Sequence, residues 1–78
     1  MPRFYFDVRD GESFIGDGEG LLFPDIESAR DEATRALAEI ALDVLPGAIV
    51  REIAIEVRDQ AGEQLLRTAL RFEIERFR

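Results

Sequence analysis

One stretch of this chain, Asp25 to Leu45 (DIESARDEATRALAEIALDVL), has the length and periodicity of a full helix, and no other stretch does. At 100° per residue, Ile26, Ala29, Ala33, Ala36, Leu37, Ile40, Ala41 and Val44 fall on one stripe, while Glu27, Asp31, Arg35, Glu39 and Asp43 lie away from it. A lone amphipathic helix has to bury that stripe on a sheet, so the flanking segments are obliged to build one. Asp25 is a good N-cap acceptor, Glu27, Asp31 and Glu32 suit the positive end of the helix dipole, and Pro46-Gly47 stops the run.

Both flanks carry the pattern of β-hairpins. Phe4, Phe6 and Val8 alternate with Tyr5, Asp7 and Arg9 ahead of Asp10-Gly11, a type I′ turn signal that sets Arg9 opposite Glu12, Val8 opposite Ser13 and Phe6 opposite Ile15. Phe4, Phe6, Val8 and Ile15 then face the helix. Asp17-Gly18-Glu19-Gly20 breaks the second strand, and Leu21 to Pro24 reads as a short extended lead into the helix. Beyond Pro46-Gly47, a strand from Glu52 to Asp59 alternates Ile53, Ile55 and Val57 with Ala54, Glu56 and Arg58. At Asp59-Gln60-Ala61-Gly62, a three-residue loop would oppose Ile55 to Arg67, whereas a four-residue loop sets Val57 against Gln64, Ile55 against Leu66 and Ile53 against Thr68. The pattern favours four.

The expected fold is α+β: ββαββ, a four-stranded, mainly antiparallel sheet with one helix at about residues 25–45 packed on one face, in a single domain over 1–78. Strand order is left open. The last strand, about Gln64 to Phe77, is roughly twice as long as its partner, so its distal half needs another neighbour, either the first strand or a second subunit.

Composition narrows the function. A chain of 78 residues buries only about 60–65 % of its unfolded surface, which makes the monomer marginal. There is no cysteine and no histidine, and no nucleophile stands beside a base, so no catalytic residue is assigned. The start, MPRFYFDVRD, is an alternating strand pattern without a signal peptide's apolar run, and no stretch could span a membrane; a cytoplasmic location is expected. Net charge is −7, and residues 1–50 hold eleven acids against four arginines while 51–78 hold six of each. That balance argues against nucleic acid on the N-terminal two-thirds and favours a cationic partner.

Asp7, Asp10, Glu12, Asp17, Glu19 and Asp25 form the densest acidic cluster, but Asp17 to Gly20 matches only a fragment of a calcium loop and Asp10-Gly11 is explained as a turn, so neither metal nor cofactor is assigned. Gly16, Gly18 and Gly20 precede no phosphate-loop signature. Arg58, Arg67 and Arg71 interleave with Glu56, Glu73 and Glu75 as cross-strand ion pairs would. More informative is a surplus of apolar residues: Tyr5, Phe14, Ala54, Leu65, Ala69 and Phe77 all fall on the face turned from the helix, and Leu42 on the helix's polar side.

Taken together, Met1-Pro2-Arg3-Phe4-Tyr5-Phe6, Arg9-Asp10-Gly11, Asp17 to Gly20, Pro24-Asp25 with Ala29 and Glu32-Ala33, and Ile55 to Asp59 with Ala61-Gly62 resemble a bacterial domain-of-unknown-function family. Its members open with MPRYFF or a close variant followed by RDG. The resemblance covers nearly the whole chain and implies no activity, cofactor or catalytic residue; members often carry histidine where this chain has Asp7. A fainter similarity, at the level of fold, is to the N-terminal half of HicB-like antitoxins, without their C-terminal DNA-binding segment. The expected function is a non-enzymatic, self-associating interaction module, a homodimer with Tyr5, Phe14, Leu65, Ala69 and Phe77 as candidate interface. The alternative is an antitoxin-like inhibitor that binds a basic protein.

Overall fold

The structure, a computed structural model, describes all residues 1–78. Its elements are β1 (Arg3–Asp10), β2 (Ser13–Ile15), β3 (Leu21–Leu22), α1 (Ile26–Val44), β4 (Val50–Arg58) and β5 (Gln64–Glu73). All pairings are antiparallel, in the order β2-β1-β4-β5, with β3 also on β1. The chain is thus α+β with one helix, but the sheet has five strands where the sequence predicts four. The extra one is Leu21–Leu22, which pairs with Arg3 and Phe4 in place of simply leading into the helix.

The helix follows its sequence signals closely. Asp25 caps it, its side chain accepting from the Ser28 N–H at 2.8 Å, and Ala29, Ala33 and Leu37 bury their side chains. Ile26, Ala36, Ile40, Ala41 and Val44 pack around them. Underneath lie Phe4, Ile53, Ile55 and Val57, with Leu66 and Leu70 of β5 and Phe23 at the margins. Phe23 packs edge-on against Phe6 at 6.0 Å between centroids, closing the part of β1 that the helix does not reach. Only 10 of 78 residues are buried, so the core is one thin layer.

Both hairpin registers differ from the expectation, and in both the alternation of faces survives, although Ile15, expected to meet the helix, is 68 % exposed and stands outside the core. In the first, Val8 opposes Ile15 and Asp10 opposes Ser13, so the turn is Gly11-Glu12, not Asp10-Gly11. Gly11 has φ +59 while no other residue type in the chain has positive φ, the pattern of a type II′ turn with glycine first. The register slips by two residues, an even number, and Ile15 stays on the same face. In the second, the Asp59 N–H bonds the Glu63 carbonyl and Arg58 opposes Gln64, giving a three-residue loop. A bulge beside Arg58 then takes up one residue, so that Val57 meets Leu66 and Ile55 meets Thr68.

The last two strands are also better matched than expected. β4 begins at Val50 and β5 ends at Glu73, and they pair along their whole length, from Arg58–Gln64 to Val50–Glu73. No distal half of β5 is left over. Because β1 pairs with β4, the first strand is not β5's neighbour, and the outer edge of β5 is free.

Candidate interaction surface

The face of the sheet turned from the helix is polar, and its polarity is organised. Glu56 on β4 accepts from Arg9 Nε at 2.9 Å and lies 3.5 Å from Arg67 Nε, while Glu52 lies 3.8 Å from Arg67 and 3.6 Å from Arg71. These pairs cross three strands, and Ala54 lies buried among them, flanked by Arg9 and Ala69. Arg67 and Arg71 therefore stand in a cross-strand ion-pair ladder, but with Glu52 and Glu56 as its acids; of the three glutamates expected in it only Glu56 takes part, and Arg58 pairs with Asp7.

At the other end of this face sits a junction that joins distant parts of the chain. Asp7, only 6 % exposed, accepts from Arg58 Nε at 2.9 Å and from the Asp17 N–H at 2.9 Å. Arg58 also donates to the Asp17 carbonyl at 2.7 Å and stacks over the Tyr5 ring at 4.5 Å. Asp17 fills a gap in the sheet. The β1–β4 ladder, phased by the Gly11 N–H donating to the Glu52 carbonyl, turns the Phe6 N–H outward where neither β2 nor β3 reaches. The Asp17 carboxylate accepts that N–H at 3.1 Å, and those of Glu19 and Gly20 at 3.0 and 3.1 Å. Burial pushes the Asp17 carboxyl up, but these three donors and the Arg58 charge outweigh it and hold it below the usual carboxylate range. Gly20 is held against β1 with φ +70, where a Cβ would come within 2.8 Å of the Phe4 carbonyl oxygen.

The remaining acids of the N-terminal cluster are dispersed. Asp10 receives both Arg51 donors at 2.6 Å on the helix side of the sheet, and that hydrogen bonding, against some burial, keeps it below its ordinary pKa. Asp25 is lowered by the Ser28 N–H that it caps. No three carboxylates converge into a cage for a cation.

The five candidate interface residues are not gathered into one patch. Tyr5 is half-buried under Arg58, and Phe14 lies on the β2 edge with the Arg9 guanidinium 4.6 Å above its ring centroid. Leu65 and Ala69 lie on β5 at the opposite edge, and Phe77 follows the last strand, 89 % exposed. Sequence periodicity places side chains on faces; it does not say that arginines would roof two of the aromatics.

Periodicity singles out Leu42 as an apolar residue on the helix's polar side, but it does not bring together the apolar end of the molecule where α1 finishes and β4 begins. Leu42, Ile49, Val50 and Ile74 are all exposed there. Ala41, Leu42, Leu45, Pro46, Gly47, Phe72 and Ile74 line an open apolar cleft of about 380 Å³ between the helix C-terminus and β5. The end of β5 lines this cleft through Phe72 and Ile74, and the outer edge of β5 is the one long unpaired edge of the sheet. On the other side, β2 and β3 cover β1 in short glycine-broken pieces with Asp17 between them, a common way of blunting an edge.

Residues 3–71 match the profile of DUF6894, a domain of unknown function. The chain belongs to the DUF6894 family. The DUF6894 match runs from the first residue of β1 into β5, so the family unit includes the helix, both hairpins and the Asp7–Asp17–Arg58 junction. No curated protein and no solved structure matches the chain. No helix is long and apolar enough to cross a membrane.

Proposed function

We propose that this DUF6894 protein is a non-enzymatic, self-associating interaction module that acts as a homodimer. The observation that carries the reading is the ten-residue strand β5, paired on one side only and lining an exposed apolar cleft at its end. A thin core and a long unpaired edge are both relieved by a second copy. The ionised groups that come together are matched to one another or to backbone N–H groups, as befits a scaffold: Asp7 to Arg58, Asp10 to Arg51, Glu56 to Arg9. Size-exclusion chromatography with light scattering at tens of micromolar tests it. A mass of twice the chain's 8.9 kDa is expected, and a strict monomer overturns the reading.

A second reading, an antitoxin-like inhibitor of a basic protein, has one feature in its favour. Glu27, Asp31, Glu39 and Asp43 are all exposed along α1. A basic protein that copurifies at low salt and is released as ionic strength rises would support it, and a gene neighbourhood without a small basic reading frame would count against it.

A further inference from the structure

Resting on the self-association just proposed, we infer that two copies join edge to edge through β5, antiparallel about a twofold axis at Leu70, with Arg67 of each copy opposite Glu73 of the other. The geometry of the strand leaves few choices. The Ile74 N–H donates to the Ile49 carbonyl, which phases the β4–β5 ladder and turns the backbone groups of Arg67, Ala69, Arg71 and Glu73 outward. Twofold pairing of two such edges requires outward-facing residues to meet outward-facing residues, so the possible registers differ in steps of two.

Charge and overlap select among them: a register with Phe72 on the axis also sets Arg71 against Glu73, but it pairs only residues 71–73 of β5. With Leu70 on the axis, Arg67 meets Glu73 twice by symmetry, and Arg71 meets Ala69, which is small enough to admit it. One step in either direction opposes arginine to arginine: Arg67 to Arg71, or Arg71 to its own mate. Glu73 has no ion-pair partner within its own chain, and Arg67 is held only at 3.5 and 3.8 Å, so both are open to a partner.

On the helix side, the same register is apolar throughout: Leu70 meets Leu70, Thr68 meets Phe72, and Leu66 meets Ile74. Leu66 of the second copy is thereby brought to Ile74 at the rim of the apolar cleft. A stable specific interface covers roughly 800 Å² per partner. That is about one-seventh of the chain's 5551 Å²; the register pairs Arg67 to Glu73 of β5 and sets Leu66 against the rim of the cleft.

Two sets of variants test the register in the full chain. Glu73→Arg sets like charges opposite each other at two symmetric places and should raise the dimer dissociation constant roughly tenfold or more in sedimentation equilibrium; adding Arg67→Glu should restore most of the affinity. Because the chain has no cysteine, a single introduced thiol reports directly on the axis. Leu70→Cys places two Cα atoms about 4.5 Å apart, within the disulfide range of roughly 4.4–6.8 Å, and should cross-link under mild oxidation. Thr68→Cys stands four residues out of register with its mate, on the order of 13 Å away, and should not. Circular dichroism checks that each variant folds, and the exposed Glu73→Arg carries the test if Leu70→Cys does not. A wild-type dimer that tolerates Glu73→Arg, or that cross-links through residue 68 and not 70, overturns the β5 register while self-association stands. A wild-type monomer overturns both.

Discussion

Asp17 does the work of a missing piece of strand, and replacing it should expose how much the first edge depends on one side chain. Asp17→Ala removes the acceptor of three N–H groups, those of Phe6, Glu19 and Gly20. The Glu19 N–H is exposed and turns to water at little cost, but those of Phe6 and Gly20 are partly buried. At about 1–1.5 kcal/mol for each partly buried donor, the loss is about 2–3 kcal/mol. A domain of this length has about 4–12 kcal/mol in total, so the melting temperature should fall by about 10–20 °C. Asp17→Asn keeps one acceptor oxygen and should lose about half as much. The carboxylate adds a pH signature. Because its folded-state pKa is depressed, its contribution is present in full above the unfolded-state value near 3.9 and is lost as pH falls through the lower folded-state one. Urea denaturation of wild type, Asn and Ala variants from pH 7 to pH 2 provides the assay. An Ala variant within about 0.5 kcal/mol of wild type, or a wild-type–Asn gap that stays constant down to pH 2, would refute the role given to Asp17.

Gly20→Ala should cost about 2 kcal/mol or more, from a left-handed alanine and a Cβ pressed on the Phe4 carbonyl, whereas Gly18→Ala, which meets open space, should be within about 0.5 kcal/mol; equal effects in thermal melts would contradict the close approach. Leu37→Asp or Phe6→Asp should abolish the cooperative unfolding transition by placing an unpaired carboxylate in the only core, while Glu39→Ala should shift stability by less than about 0.5 kcal/mol. Asp7→Asn and Arg58→Met should be non-additive by about 1–3 kcal/mol in a double-mutant cycle, since the two side chains meet in one junction; strict additivity would show that Arg58 is held by Tyr5 and the Asp17 carbonyl alone.

Whatever depends on period and on local chemistry was legible in the chain before it folded. The 3.6-residue stripe from Ile26 to Val44, its Asp25 cap, and the alternation of Phe4, Phe6 and Val8 and of Ile53, Ile55 and Val57 all recur in the structure, because each is enforced within a few residues of chain. Even the two misjudged hairpin registers kept their faces: one slipped by two residues, and the other, with a shorter loop, was put back in phase by a bulge beside Arg58, since burial penalises a flipped face far more than a shifted turn. The rest came from contacts between segments far apart in the chain. Strand order, which makes β5 an edge, depends on where β1 docks, some 45 residues along the chain from its partner β4. The roles of Asp7, Asp17 and Arg58 are set by through-space distances of 2.7–3.1 Å between segments that no local pattern connects. The same holds for the apolar end: Leu42, Ile49 and Ile74 read as scattered residues in the sequence, and they become one surface only when the helix C-terminus, the β4 entry and the end of β5 arrive at the same place.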